Sequence, residues 1–321
     1  LVNEYLIDDI EKALSNLSPS DFVRHIDSAI EILRKERERG FLVGGKINGG
    51  LVELQTPDEL VVIGDIHGDL KTFLKILEDI KLEHYLANPN NKIILLGDYV
   101  DRGPKSIEVL YAICNLKQRY PNSIILMRGN HEAPAEYPFS SHDLPLKIID
   151  YYGMDMGKFI YYKKIFPFFR LLMLTTIIQK LLLLVHGGLP TIEVTTTNYR
   201  SHIANAQENI LQNRIMEEIL WNDPRSEILG GHDWEKSRRG VGKHFGINIS
   251  RKWLEATGTR AIIRGHEPCE GYKLDHAGIV ITIFSCKDPY PNFDAAYISI
   301  AGKKLESIRT GADLVDYTIK V

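Results

Sequence analysis

Five apolar runs of strand length in this chain end in the same way. ELVVIGDIHG (59–68), NKIILLGDYVDRG (91–103), SIILMRGNHE (123–132), KLLLLVHGG (180–188) and TRAIIRGH (259–266) each pass through or beside a glycine into Asp, Asn or His. Runs so dense in Ile, Leu and Val read as buried strands. One polar end after a glycine turn would carry little information. Five that finish on side chains able to bind metal or move protons call for a fold that gathers strand ends.

The surrounding pattern supplies such a fold. LVVIGD, DLKTFLKILEDI, IILLGD, SIEVLYAICNLKQRY and SIILMRGN predict strand, helix, strand, helix, strand. That order argues for an α/β arrangement with functional loops at the carboxyl ends of the strands. Residues 1 to about 40 read as helical, with Ser18, Pro19 and Ser20 as a cap and Phe22, Ile26, Ile30 and Leu33 at helical spacing. GGKINGG (44–50) reads as a flexible connector, so residues 1–50 are expected to form an N-terminal helical extension. In the second half, DYYGMDMGKFIYYKKIFPFF is an aromatic-rich helical zone, and 166–185 is expected to give two core strands around a tight turn at Gln179 and Lys180. DAAYISIAG and VDYTIKV read as antiparallel strands of a second sheet packed on the first. The fold class is therefore mixed α/β (α+β). With no repeat and no separating linker, residues 1–321 read as a single domain.

Composition narrows the function classes. Hydrophobic residues make up 44% and charged residues 25%, and the formal net charge is -3, so no basic footprint for nucleic acid is present. Cys114, Cys269 and Cys286 lack CxxC spacing and read as free thiols in a reducing compartment. The most apolar stretch, 166–185, is interrupted by Arg170, Gln179 and Lys180, short of the ~18 apolar residues that a membrane span needs. LVNEYLIDDIEKAL carries acidic residues where a signal peptide would be basic, which leads to the expectation of a cytoplasmic chain.

The strand ends suggest a chemistry. Asp65 and His67 are two apart and share a face if the strand geometry persists. Carboxylate with imidazole suits Mn, Fe or Zn better than Mg or Ca. Asp98 is a further carboxylate placed to bridge two metals, and Arg102 brings a planar fork matched to phosphate oxygens. Asn130 offers an amide oxygen, His131 is suited to protonating a leaving group, and His186 and His266 would complete a second metal's shell. Each of these also has an ordinary reading as a turn, an ion pair or a satisfied core histidine. Trp221 reads as a loop anchor, a role open to Asp223 as well, and Tyr151, Tyr152, Tyr161 and Tyr162 as packing residues.

Taken in order, GDIHG, GDYVDRG, GNHE, HGGLP, LWNDP and RGVG, within residues 64–294, resemble the signature set of the PPP family of metal-dependent phosphoprotein phosphatases. The overall look is similar to its compact archaeal and bacterial members. The resemblance implies a central β-sandwich flanked by helices, with a dimetal site at the carboxyl ends of strands. It implies that Asp65, His67 and the bridging Asp98 hold one divalent ion and that Asp98, Asn130, His186 and His266 hold the other, with Mn, Fe or Zn as the candidates. His131 would be the general acid, oriented by Asp101, while Arg102, Asn130 and Arg239 would bind the phosphoryl oxygens. The implied reaction is hydrolysis of phosphoserine and phosphothreonine in proteins by direct attack of a dimetal-bound hydroxide. The implied partners are phosphoprotein substrates, with no nucleic acid or membrane; regulatory subunits are not indicated.

One segment departs from the pattern. Where eukaryotic members carry SAPNY, whose Tyr lies over the active site, this chain has FSCKDPYPNFDAA, with Pro289 at the place of that Tyr and Tyr290 one further on. Two alternatives share the metal motifs. Hydrolases of symmetrical dinucleoside tetraphosphates usually lack the DYVDRG and LWNDP pair, and an inactive phosphoprotein-binding scaffold would show eroded ligands, whereas all six are intact.

Overall fold

Alternation along the strands divides the buried side chains between two cores in the computed structural model, which describes residues 6–206, 210–228, 232–290 and 293–321. In the strand Leu182–Val185, Leu182 and Leu184 join one core while Leu183 and Val185 join the other. In Ala261–Arg264, Ala261 and Ile263 part from Ile262 in the same way. Successive side chains of a strand point to opposite faces, so this sheet is buried on both sides.

Its eight strands run in the order Phe41–Leu42, Gly45–Asn48, Leu51–Leu54, Thr175–Ile178, Leu182–Val185, Ala261–Arg264, Val280–Ile283 and Tyr272–Asp275. A five-stranded sheet runs Thr318–Lys320, Ala296–Ala301, Glu59–Ile63, Lys92–Leu95 and Ile124–Leu126. Val52 and Leu184 from the larger sheet share a core with Val62 and Ile94 from the smaller, which makes the pair a sandwich. The helices Leu70–Asp79 and Ser106–Arg119 add Phe73, Ile76, Leu110 and Ile113 to that core. On the far face of the larger sheet, Tyr199–Ala204, Ile210–Trp221 and Ile247–Thr257 supply Ile203, Ile219 and Trp253. The mixed α/β class and the flanking helices are as the sequence predicts.

The predicted strand–helix alternation is present, and its three strands are parallel, with Val62 opposite Ile94 and Ile94 opposite Ile125. The N-terminal helices are Leu6–Leu14 and Pro19–Arg39; residues 1–5 of the predicted helical region lie outside the described residues. Ser18 caps the second helix by accepting from the Asp21 backbone N–H at 3.1 Å, and Gly40 closes it in the left-handed region.

Three expectations need correction. GGKINGG is not a connector: Gly45–Asn48 pairs with Leu51–Leu54, and Ile47 is buried between exposed Lys46 and Asn48, a period-two signal hidden by flanking glycines. Residues 1–50 therefore end in strands of the larger sheet. Within 166–185, Phe166–Phe169 is helical with Pro167 in its first turn, where its missing N–H is no loss, and the first strand begins only at Thr175. The turn at Gln179 and Lys180 is present, with Lys180 at φ 63. Finally, Ala296–Ala301 and Thr318–Lys320 are antiparallel but extend the first sheet beside Glu59–Ile63, and Gly311–Tyr317 is a 3-10 turn. All three cysteines are free and buried. Among the described residues, no helix is long and apolar enough to cross a membrane.

Candidate metal centre and phosphate pocket

The five glycine-bearing runs end at one place, three from parallel strands of the smaller sheet and two from parallel strands of the larger. Asp98 stands between them, its Oδ2 3.6 Å from His67 Nε2 and its Oδ1 3.3 Å from His186 Nε2. Asp65 Oδ2 is 3.8 Å from His67 Nε2. Asn130 Oδ1 is 3.1 Å from His186 Nε2 and 2.8 Å from His266 Nδ1. Among the described residues, two buried groups have donor atoms close enough to hold a cation: His67, Asp98 and His131, and Asp98, His186 and His266. Asp98 belongs to both. Asp65 faces His67 from outside the first group, and His131 stands inside it.

Such close approach demands unusual backbone. His67, Asp98, Asp101, Arg102 and His266 all have positive φ, from 45 to 73 degrees. Non-glycine residues avoid this region, and its clustering at one site is strain that the surrounding structure must hold. A buried carboxylate supplies much of the restraint: Glu132 accepts the backbone N–H groups of Asp98, Tyr99 and Gly129 at 2.8, 2.9 and 2.9 Å. The Asp98 carbonyl in turn accepts from Ile66 and His67, which laces the first two loops together.

The donor set fits divalent cations. His67 Nδ1–H donates to the Val100 carbonyl and His186 Nδ1–H to that of Leu96, which turns both Nε2 atoms toward the centre. Asp65 Oδ2 and His266 Nε2 are buried without a hydrogen-bond partner. Turned over, the Asn130 amide would donate from its nitrogen to His266 and Asp98, so this side chain can serve the site with or without a cation. Buried lone pairs that converge with few donors between them are stabilised by positive charge.

Protonation states diverge within this small volume. Burial pushes Asp65 up to about 6, helped by Asp98 beside it. Burial, then His131, lowers His67 to about 3, and burial with Arg239 holds His266 well below the ordinary imidazole value, so both rings are neutral. Against its own burial, Asp98 is held well below the usual carboxylate range by His186 and His131. His131 moves the other way: Asp98 and Asp101 outweigh its burial and raise it.

His131 Nδ1 lies 2.7 Å from Asp101 Oδ2. Arg102 and Arg239 line a cavity of about 400 Å³ together with Asp98, Asn130, His131, Phe139, Trp221 and His266. Arg239 Nε donates to Asp223 Oδ2 at 3.0 Å, and Arg264 Nη2 donates to Asp223 Oδ1 at 2.9 Å, which ties the cavity wall to a buried carboxylate. Arg102 Nη1 donates to the Tyr290 hydroxyl at 2.5 Å, and the Tyr290 ring lies 6.3 Å from that of His67. Tyr290 thus reaches the site from one position later than the family pattern. Pro291 and Asn292 of the same loop lie outside the described residues. A larger groove at 191–194 and 232–235 contains none of the strand-end residues.

Sequence reasoning placed the strand-end residues and both arginines together, as the structure does. It missed others. Trp221 is more than a loop anchor, because its indole walls the cavity 5.7 Å from His266 and 5.8 Å from Phe139. Glu132 was legible as the last letter of GNHE, but its role required the fold. His142, whose Nδ1 donates to the same Asp101 Oδ2 at 2.8 Å, had no sequence signal beyond being a histidine in a loop.

Known proteins resemble this chain in sequence and in fold. The calcineurin-like phosphoesterase family matches residues 59–270. Serine/threonine-protein phosphatase T of Schizosaccharomyces pombe is 34% identical over 248 residues, covering 75% of this chain and 48% of that protein. Serine/threonine-protein phosphatase 5 of Homo sapiens is 31% identical over 262 residues, covering 78% and 48%. The chain thus spans about half the length of these curated relatives. A solved protein serine/threonine phosphatase from Saccharomyces cerevisiae superposes with a TM-score of 0.68 at 24% identity, covering 99% of this chain and 93% of that one, which shows a shared fold.

Proposed function

Because the chain belongs to the calcineurin-like phosphoesterase family, we propose that it is a serine/threonine protein phosphatase that releases phosphate from phosphoserine and phosphothreonine in proteins. In this reading Asp65, His67 and Asp98 would hold one divalent ion, and Asp98, Asn130, His186 and His266 would hold the other. Manganese is the ion proposed for activity in vitro, with iron or zinc as the other candidates. When bound, the two ions would acidify a water and offset phosphoryl charge.

The observation that carries the proposal is the placement of His131 and two arginines around one cavity beside the cation-binding groups. Arg102 and Arg239 grip the phosphoryl oxygens, with the Asn130 amide beside them. Water, having given one proton to solvent, forms the new bond to phosphorus as the bond to the seryl or threonyl oxygen breaks; His131 passes its Nε2 proton to that oxygen and is reprotonated from solvent. An alkoxide leaves poorly, so the proton matters. Asp101 holds the other ring nitrogen and favours the charged imidazole. The chain acts as one catalytic unit in this proposal, since strands on both sides of 59–270 complete the two sheets.

The test is to purify the protein free of metal, titrate in manganese and assay a phosphoserine peptide beside diadenosine tetraphosphate. Metal-dependent phosphate release from the peptide is the expected result. Preference for the dinucleotide would move the chain to nucleotide hydrolysis, and no turnover with both ions bound would make it a binding module.

A further inference from the structure

Asp101 is more heavily bonded than a partner for one histidine needs to be. Its Oδ2 accepts from His131 Nδ1 at 2.7 Å and from His142 Nδ1 at 2.8 Å. Its Oδ1 accepts the backbone N–H groups of Asp143 and Leu144, each at 2.9 Å. All four acceptor sites of a carboxylate are thereby filled, three of them from the segment 142–144. Asp101 itself has φ 68, outside any regular element, and its backbone N–H donates to Ser106 Oγ at 3.0 Å, so the bonds from 142–144 act on the carboxylate end of a residue already anchored at its main chain.

His142 is held from behind. Its Nε2 meets the hydroxyl of Tyr161, which is buried at the start of a π-helical turn, Tyr161–Ile165. With Nδ1–H on Asp101, the remaining ring nitrogen, Nε2, is tied to the Tyr161 hydroxyl. Insertions of this kind inside helices recur at functional sites. Phe139 stands edge-on to both imidazoles, with centroids 4.5 Å from His131 and 5.5 Å from His142. A chain therefore runs from Tyr161 through His142 and Asp101 to His131, within a segment that also walls the phosphate cavity at Phe139, Ser140 and Ser141.

We infer that His142 is a positioning residue for proton donation: it fixes the Asp101 carboxylate, and Tyr161 fixes His142, so that His131 presents its Nε2–H to the leaving oxygen. The inference rests on the reading of His131 as general acid. Without His142, Oδ2 keeps only His131 as donor, and the carboxylate, anchored at Oδ1 alone, can rotate about that anchor and loosen the geometry that aims the imidazole.

The experiment compares kcat on a phosphoserine peptide, whose alkoxide needs a proton, with kcat on p-nitrophenyl phosphate, whose leaving group does not. His142→Ala, His142→Asn, Tyr161→Phe and His131→Ala are assayed in the full chain with manganese. Metal content and thermal midpoint are measured alongside. His142→Ala is expected to lower peptide turnover about 10- to 100-fold, less than the ~10²- to 10⁴-fold carried by a general acid itself, and to lower aryl phosphate turnover several-fold less. His142→Asn, whose amide N–H can replace Nδ1–H, is expected to restore most of the difference, and Tyr161→Phe to give a smaller loss of the same selectivity. In the metal-free protein labelled with 15N-histidine, His131 and His142 are expected to give two Nδ1–H proton signals downfield of those that His67 and His186 give against backbone carbonyls, one lost in His142→Ala and the other shifted. Equal losses on both substrates, or an unshifted His131 signal, would reduce His142 to a structural bond and overturn the inference. Equal losses in His131→Ala itself would overturn the acid assignment, and the inference with it.

Discussion

The backbone N–H of His266 donates to Asp65 Oδ1 at 2.8 Å, joining the ends of strands from the two different sheets. The residue before His266 must be glycine for this approach, because a Cβ on Gly265 would lie 2.4 Å from that same oxygen. Gly265→Ala is therefore expected to push Asp65 out of place and weaken manganese binding by about tenfold or more, roughly 1.4 kcal/mol in binding free energy. Isothermal titration with manganese reads this directly, and unchanged affinity would mean that the seam between the sheets is softer than its geometry implies.

His131 and Asp65 make an informative pair, because His131, not Asp65, falls in the first group of close donors. The proposed roles predict opposite outcomes. His131→Ala should lose about 10²- to 10⁴-fold in peptide turnover while keeping two metals per chain. Asp65→Ala should bind fewer. Elemental analysis of both variants decides between acid and ligand for His131.

The raised pKa of His131 sets a direction for pH dependence. Its carboxylate neighbours Asp98 and Asp101, acting against burial, favour the charged ring. The acid is active when protonated, so the alkaline limb of kcat should lie above the ordinary imidazole value of about 6.5. Asp101→Asn removes one of those charges and should move that limb toward lower pH by about a unit. In stability terms, the tighter proton contributes fully below about pH 6.5 and is lost as pH rises through the folded-state value.

Tyr290 holds one end of the Arg102 guanidinium. Tyr290→Phe keeps the ring and removes the acceptor, and at about 0.5–1.5 kcal/mol for one hydrogen bond it should raise KM for the phosphopeptide and Ki for inorganic phosphate by a few-fold. An effect confined to kcat would instead place Tyr290 on the reacting atoms.

The strand-end residues were legible because glycine, a run of Ile, Leu and Val, and a polar terminus are all local signals. Asp65, Asp98, Asn130, His186 and His266 each follow such a run, and parallel pairing then brings their ends together. The hairpin at Gly45–Asn48 was hidden because its one buried side chain, Ile47, sits among glycines and exposed residues that mimic a linker. His142 and Tyr161 were hidden for a different reason. Their meaning lies in a contact with Asp101, 41 residues back from His142, and in an inserted helical residue, neither of which has a periodicity to read. Trp221 was misjudged because an indole that anchors a loop and one that walls a cavity look alike until the neighbouring loops are placed.

The order of the strands also matters before the protein is finished. Glu59–Ile63, which carries Asp65 at its end, is paired on one side by Lys92–Leu95 and on the other by Ala296–Ala301, a segment synthesised more than two hundred residues later. Until Ala296–Ala301 has been made that apolar strand has an open edge, the kind of surface on which growing chains stick to one another. Chaperone demand should therefore persist until Ala296–Ala301 emerges, and truncation before 296 should yield aggregates rather than a smaller soluble core.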